Sequence, residues 1–185
     1  MRKAVVYLVV LILGFCSSTL SAFEPDLTDN MELDVARAIL QIKQRDAGIQ
    51  KFFDNSAGYA VYPSVGKGGI VIGGAYGRGL VLVNEQVDGY TALSQATIGF
   101  QLGGQKYAQF IFFKDDTALD HFRRGNFEFG AQASAVAITA GASADANYNS
   151  GVAIFTNAGG GLMFEGTVGG QRFSYEAKAE EEAEE

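Results

Sequence analysis

Residues 54–69 read Asp54-Asn55-Ser56-Ala57-Gly58-Tyr59-Ala60-Val61-Tyr62-Pro63-Ser64-Val65-Gly66-Lys67-Gly68-Gly69, and the character of the chain changes here. Asp54-Asn55-Ser56 carries turn chemistry, because short polar side chains bond their own backbone and tolerate tight conformations. The residues before it repeat with a helical period. Those after it form short β-favouring runs separated by glycine. An α+β, β-rich fold follows: an antiparallel sheet or partly closed barrel, with an N-terminal amphipathic helix and one short inserted helix.

Upstream, the helix spans about residues 28–53. Met31, Val35, Ala38, Ile39 and Ile42 fall at three- and four-residue steps on one side, while Asp34, Arg37, Gln41 and Gln44 mark the other. Asp29 followed by Glu32 has the spacing of a capping box. Gly48 interrupts before a last turn that ends in Phe52-Phe53.

Downstream, the expected strands are Ala57–Tyr62, Gly69–Gly73, Gly79–Val83, Tyr90–Leu102, Gln105–Phe113, Phe127–Thr139, Ala144–Tyr148, Val152–Thr156, Gly161–Glu165 and Gln171–Tyr175. Asn84–Gly89 reads as a hairpin loop. The inserted helix begins at Asp115-Asp116, turns Leu119 and Phe122 inward, ends with Arg123-Arg124 and stops at Gly125. Gly103-Gly104-Gln105-Lys106-Tyr107 is echoed by Gly169-Gly170-Gln171-Arg172-Phe173, which reads as one strand-opening turn used twice.

The ends of the chain read differently from its middle. Arg2-Lys3, the apolar run Ala4–Phe15 and the small and polar residues up to Ala22 have the layout of a secretory signal peptide, residues 1–22. Cys16, the one cysteine, follows Leu13-Gly14-Phe15 in a lipobox-like setting. It is a candidate lipidation site if it is not discarded with the leader. The expected domain is residues 23–175, followed by an acidic tail, 176–185, with six Glu and one Lys.

Composition removes several function classes. The formal charge of −7 argues against a nucleic-acid binder. A single His and a single Cys cannot build a Cys/His zinc site or an internal disulfide. Glycine is abundant, at 24 residues. Even so, Gly73-Gly74-Ala75-Tyr76-Gly77-Arg78-Gly79 is neither a dinucleotide fingerprint nor a phosphate loop, and it joins strand to strand. His121 lies between charged neighbours and reads as a surface residue, and Asp115, Asp116 and Asp120 read as caps and solvated charges. No enzyme, metal or cofactor is expected.

Blocks in this order resemble the SYLF domain: the 54–69 stretch, Gly73–Gly79, Ala96-Thr97-Ile98-Gly99-Phe100-Gln101-Leu102-Gly103-Gly104-Gln105, Ile111-Phe112-Phe113, Ala131–Ala137 and Gly160-Gly161-Leu162-Met163. The resemblance covers roughly residues 36–173. It implies a non-catalytic module that binds acidic lipids, or actin in yeast relatives, with contacts on an N-terminal amphipathic segment and on basic residues. Carried onto this chain, the segment is Asp29 to Lys51 with Arg37, Lys43, Arg45 and Lys51; Lys67 and Arg78 extend the lipid-binding candidates into the β region. Phe52 or Phe53 could insert beside the cations, or could instead be core aromatics. Phosphoinositides and actin do not transfer to an exported protein.

The resulting expectation is a non-enzymatic, exported, periplasmic protein that binds phospholipid or another envelope amphiphile. Its alternatives are a membrane-anchored lipoprotein through Cys16, a scaffold for another envelope protein, and a small outer-membrane barrel. Oligomeric state is not readable from the chain.

Overall fold

The computed structural model describes residues 22–69, 72–98, 103–125, 128–129, 136–137, 139–158 and 170–179. The leader with Cys16, the expected strand Gly161–Glu165 and residues 180–185 lie outside the described residues.

The first helix, α1, spans Asn30–Arg45. Asp29 caps it by accepting the amides of Met31 at 2.7 Å and Glu32 at 3.3 Å. The box is not reciprocal: the Glu32 carboxylate accepts the amide of Asp26 instead. A 3₁₀ turn, Ala47–Ile49, and the short helix α2, Gln50–Asn55, complete the segment. The inserted helix α3, Asp116–Arg123, is capped by Asp115 and ends at Gly125, whose φ of +71° suits a residue without Cβ.

The strands are β1 (Gly58–Gly69), β2 (Ile72–Val83), β3 (Gln86–Ile98), β4 (Gly103–Phe113), β5 (Glu128–Phe129), β6 (Val136–Ala137), β7 (Val152–Ala158) and β8 (Gln171–Ala177). They form one sheet in the order β5-β8-β3-β2-β1-β4-β7-β6. Six strands, from β8 to β7, run antiparallel; the two-residue β6 is parallel to β7. Among the described residues the sheet does not close into a barrel. It is nevertheless strongly curled. β4 and β8 stand four places apart, roughly 19 Å in a flat sheet, yet the Gln109 amide donates to Gln171 Oε1 at 3.0 Å.

Several expected boundaries shift. Gly69–Gly73 is not a separate strand: β1 and β2 run on either side of it as two long strands. Gly66, Gly68, Gly74 and Gly77, between those runs, are strand residues paired on both sides. The hairpin loop contracts to Asn84-Glu85, both at positive φ, as a two-residue turn requires. Ala144–Tyr148 is irregular rather than a strand. The amides of Ala144 and Ala146 donate to the carbonyls of Gly141 and Ser143 in local turns, and Lys51 donates to the Ala144 carbonyl. β8 also runs through Glu176 and Ala177, so the first residues assigned to the tail are part of the sheet.

Each face of the sheet has its own core. The outer face packs Val35, Ile39, Ile42, Ile49, Phe52 and Phe53 of the helices on Val61, Leu80, Leu82, Phe110, Phe112 and Phe155. Ring centroids lie 4.8 Å apart for Phe52–Phe155 and 4.9 Å for Phe53–Phe112, both edge to face, the arrangement favoured by the ring quadrupoles. The inner face holds Tyr62, Val65, Leu93, Ile111, Phe113 and Phe173, closed by Leu119 and Phe122 of α3. A bulge between Val61 and Ser64, at Pro63, shifts the alternation of β1 by one residue. As a result Val61 faces outward, while Val65 and Lys67 face inward.

Candidate functional site

The basic residues singled out from the sequence do not form one cluster. Arg37 is exposed on α1 and pairs with Asp34 one turn away. The ammonium of Lys43 lies 4.3 Å from the centre of the Phe53 ring, and that of Lys51 lies 5.1 Å from Phe52. These are cation–π contacts, with the lysine stems laid over the aromatic core. Lys51 also donates to the Ala144 carbonyl at 3.0 Å. Arg45 donates to Asn157 Oδ1 at 2.6 Å and to the Ala158 carbonyl at 2.9 Å, tying the end of α1 to β7. Of these four helical cations, three are bonded to loops or sheet, or stacked on rings, of the domain itself. Phe52 and Phe53 are core residues, so neither is available to enter a bilayer.

Lys67 and Arg78 fall on opposite faces. Lys67 is 7% exposed on the inner face, and burial pushes its ammonium below the usual lysine range because the charged form loses water. Gln95, Gln109 and Gln171 share that face and are hydrogen-bonded to one another across the curl. Arg78 stands on the outer face of β2, exposed, opposite Ser64 of β1 and Ala92 of β3.

The outer face beyond the helices holds Tyr76 and Lys106, of which Lys106 is one of the scattered β-region cations and Tyr76 carried no binding expectation from the sequence. Register places Gly66 of β1 directly between Tyr76 of β2 and Lys106 of β4. All three are exposed, and the Tyr76 ring residue retains 58% of its surface. A Cβ built on Gly66 or Gly68 would meet nothing within 4 Å. The floor at Gly66 and Gly68 is therefore bare backbone, with Tyr76 on one side and Lys106 on the other, and Arg78 stands at its Ser64 end. The alternation Gly74-Tyr76-Arg78 was the available signal, since residues two apart share a strand face.

A second group of charges ties elements together. Arg123 of α3 donates to both carboxylate oxygens of Asp88, and Tyr175 donates to the same carboxylate at 2.8 Å. Paired this way, the Arg123 guanidinium is pushed to still higher pKa, first by the Asp88 hydrogen bond. Asp46, 3% exposed, accepts the amides of Gly48 and Ser143. Burial raises its pKa, but the hydrogen bonds from Ser143 and Gly48 outweigh burial and hold its carboxyl below the ordinary range.

Asp115, Thr117, Asp120, His121 and Arg124 line an open hollow beside Ser150 and Gly151. Among the described residues, no group of three His, Cys, Asp or Glu side chains is arranged to hold a metal ion. No described helix is long and apolar enough to cross a membrane.

A strongly curled antiparallel sheet, helices packed on its outer face and a third helix closing its inner face define a β-rich α+β module. Residues 94–182 match the family model Ysc84, described as "Las17-binding protein actin regulator". Over this stretch the chain is similar to the Ysc84, or SYLF, family, a class of domain associated with lipid binding. The chain is also similar to Beta cell expansion factor A of Aeromonas veronii, 28% identical over 138 residues, which is 74% of this chain and 52% of that protein. The chain thus spans about half the length of the curated relative it matches.

Proposed function

We propose that this chain is a non-enzymatic, exported envelope protein whose SYLF domain adsorbs to an anionic phospholipid surface. The observation that carries the reading is the pattern of exposure on the outer face. Arg37, Arg45, Lys51, Arg78 and Lys106 face solvent there, whereas Val35, Ile39, Ile42, Phe52 and Phe53 are inside. A surface of that kind meets headgroups by charge, each nearby cation contributing on the order of 1 kcal/mol, and does not need apolar insertion.

Localisation in a periplasm follows from the leader-like N-terminus, and lipidation of Cys16 would add an anchor. The test is flotation of the protein lacking residues 1–22 with vesicles of phosphatidylcholine, alone or with phosphatidylglycerol, at moderate salt. Flotation is expected with the anionic vesicles and is expected to weaken as salt rises. Equal flotation with both compositions, or none, would overturn the reading.

A further inference from the structure

We infer that the contact with an anionic bilayer is made by the trough along β1, bare at Gly66 and Gly68 and walled by Tyr76 of β2 and Lys106 of β4 with Arg78 at its Ser64 end, and not by the helical segment. The inference rests on the lipid reading above and names the surface that performs it.

Three observations converge on the trough. First, its walls are one strand apart on either side of β1, so Tyr76 and Lys106 face each other across Gly66 at a backbone separation of roughly 10 Å. That is room for a phosphodiester headgroup between an aromatic ring and a cation, with no side chain on the floor to exclude it. Second, neither Arg78 nor Lys106 makes an ion pair or hydrogen bond to a described residue, whereas Lys43, Arg45 and Lys51 are stacked or bonded within the domain. Moving the helical cations to a headgroup would break those contacts; moving Arg78 or Lys106 breaks none. Third, Tyr76 is a well-exposed aromatic, and a tyrosine with an apolar ring and a polar tip suits the headgroup level of a membrane. Charge complementarity selects an anionic surface, because no acidic residue lies among the outward-facing described residues of β1, β2 and β4 that form the trough.

The absence of tryptophan from the chain permits a direct probe. Tyr76→Trp in the otherwise intact protein is expected to shift its emission to the blue, and to be quenched by brominated lipid, when phosphatidylglycerol vesicles are added. Leu40→Trp, on exposed α1, is expected to change little. In flotation, Arg78→Gln and Lys106→Gln should each lower partitioning about fivefold, the equivalent of about 1 kcal/mol per cation. Gly66→Leu, whose Cβ would meet nothing within 4 Å, should occupy the trough and lower partitioning with no loss of thermal stability. Lys43→Gln/Lys51→Gln should leave partitioning within about twofold. If the helical pair abolishes flotation while the trough variants float like the parent, the trough inference falls and the lipid reading stands. If the parent protein itself fails to float with anionic vesicles, both fall.

Discussion

The outer face of this sheet has two ends built on opposite principles. At one end, β1, β4 and β7 carry Tyr59, Phe110, Phe112 and Phe155, and the helices cover them completely. At the other, β1 and β4 continue as Ser64, Gly66, Gly68 and Lys106, and the face is open to solvent. β1 stays paired with both β2 and β4 on either side of the bulge at Pro63 that separates the two halves. Side-chain volume therefore decides where a helix docks: large apolar residues supply the area that holds α1 and α2, and the glycine half offers almost none. One strand thus supplies a core at one end and an accessible surface at the other.

The comparison breaks most visibly at Phe112, which touches Phe52, Phe53, Tyr59 and Phe155. Phe112→Ala is expected to cost about 3–5 kcal/mol in urea unfolding, through lost burial and the cavity left behind. Two glycines sharpen the contrast. At Gly79 a Cβ would lie 2.1 Å from the Val61 carbonyl oxygen, so Gly79→Ala forces strands apart and should cost about 1–3 kcal/mol. Gly66→Leu in the open half should stay within about 0.5 kcal/mol of the parent. A large loss at Gly66 would show that the trough is a packed surface.

Asp46 links the helical segment to the loop at Ser143, and Asp46→Asn is expected to cost about 1–2 kcal/mol at neutral pH. Its folded-state pKa is depressed, so its contribution is fully present above the unfolded value. It fades as pH falls from about 4 through the folded value. Unfolding midpoints measured from pH 7 down to pH 3 should therefore fall less steeply for Asp46→Asn than for the parent. The smallest effect is expected from Arg37→Ala, which removes an exposed pair with Asp34 and should change stability by less than about 0.5 kcal/mol.

Local patterns gave reliable readings wherever one residue and its near neighbours fix the outcome. The stripe from Val35 to Ile42, the Asp29 cap, the stop at Gly125 and the β character after Ser56 all depend on contacts a few residues apart. The echo of Gln105-Lys106-Tyr107 in Gln171-Arg172-Phe173 was visible too, and in the fold each triplet turns its aromatic inward.

What the chain could not disclose depends on strand order. Lys67 and Arg78 look alike in the sequence, but a one-residue bulge at Pro63 and the pairing of β1 with β2 send one to the interior and the other to solvent. Tyr76 and Lys106 are thirty residues apart and become neighbours across Gly66 only because β1 is paired on both sides. Sequence alone therefore determined the fold class, the helices and the family resemblance, because these follow from local period and from ordered glycine blocks. The tertiary structure decided which cations share a surface, because a face is defined by register, and register is a property of the assembled sheet.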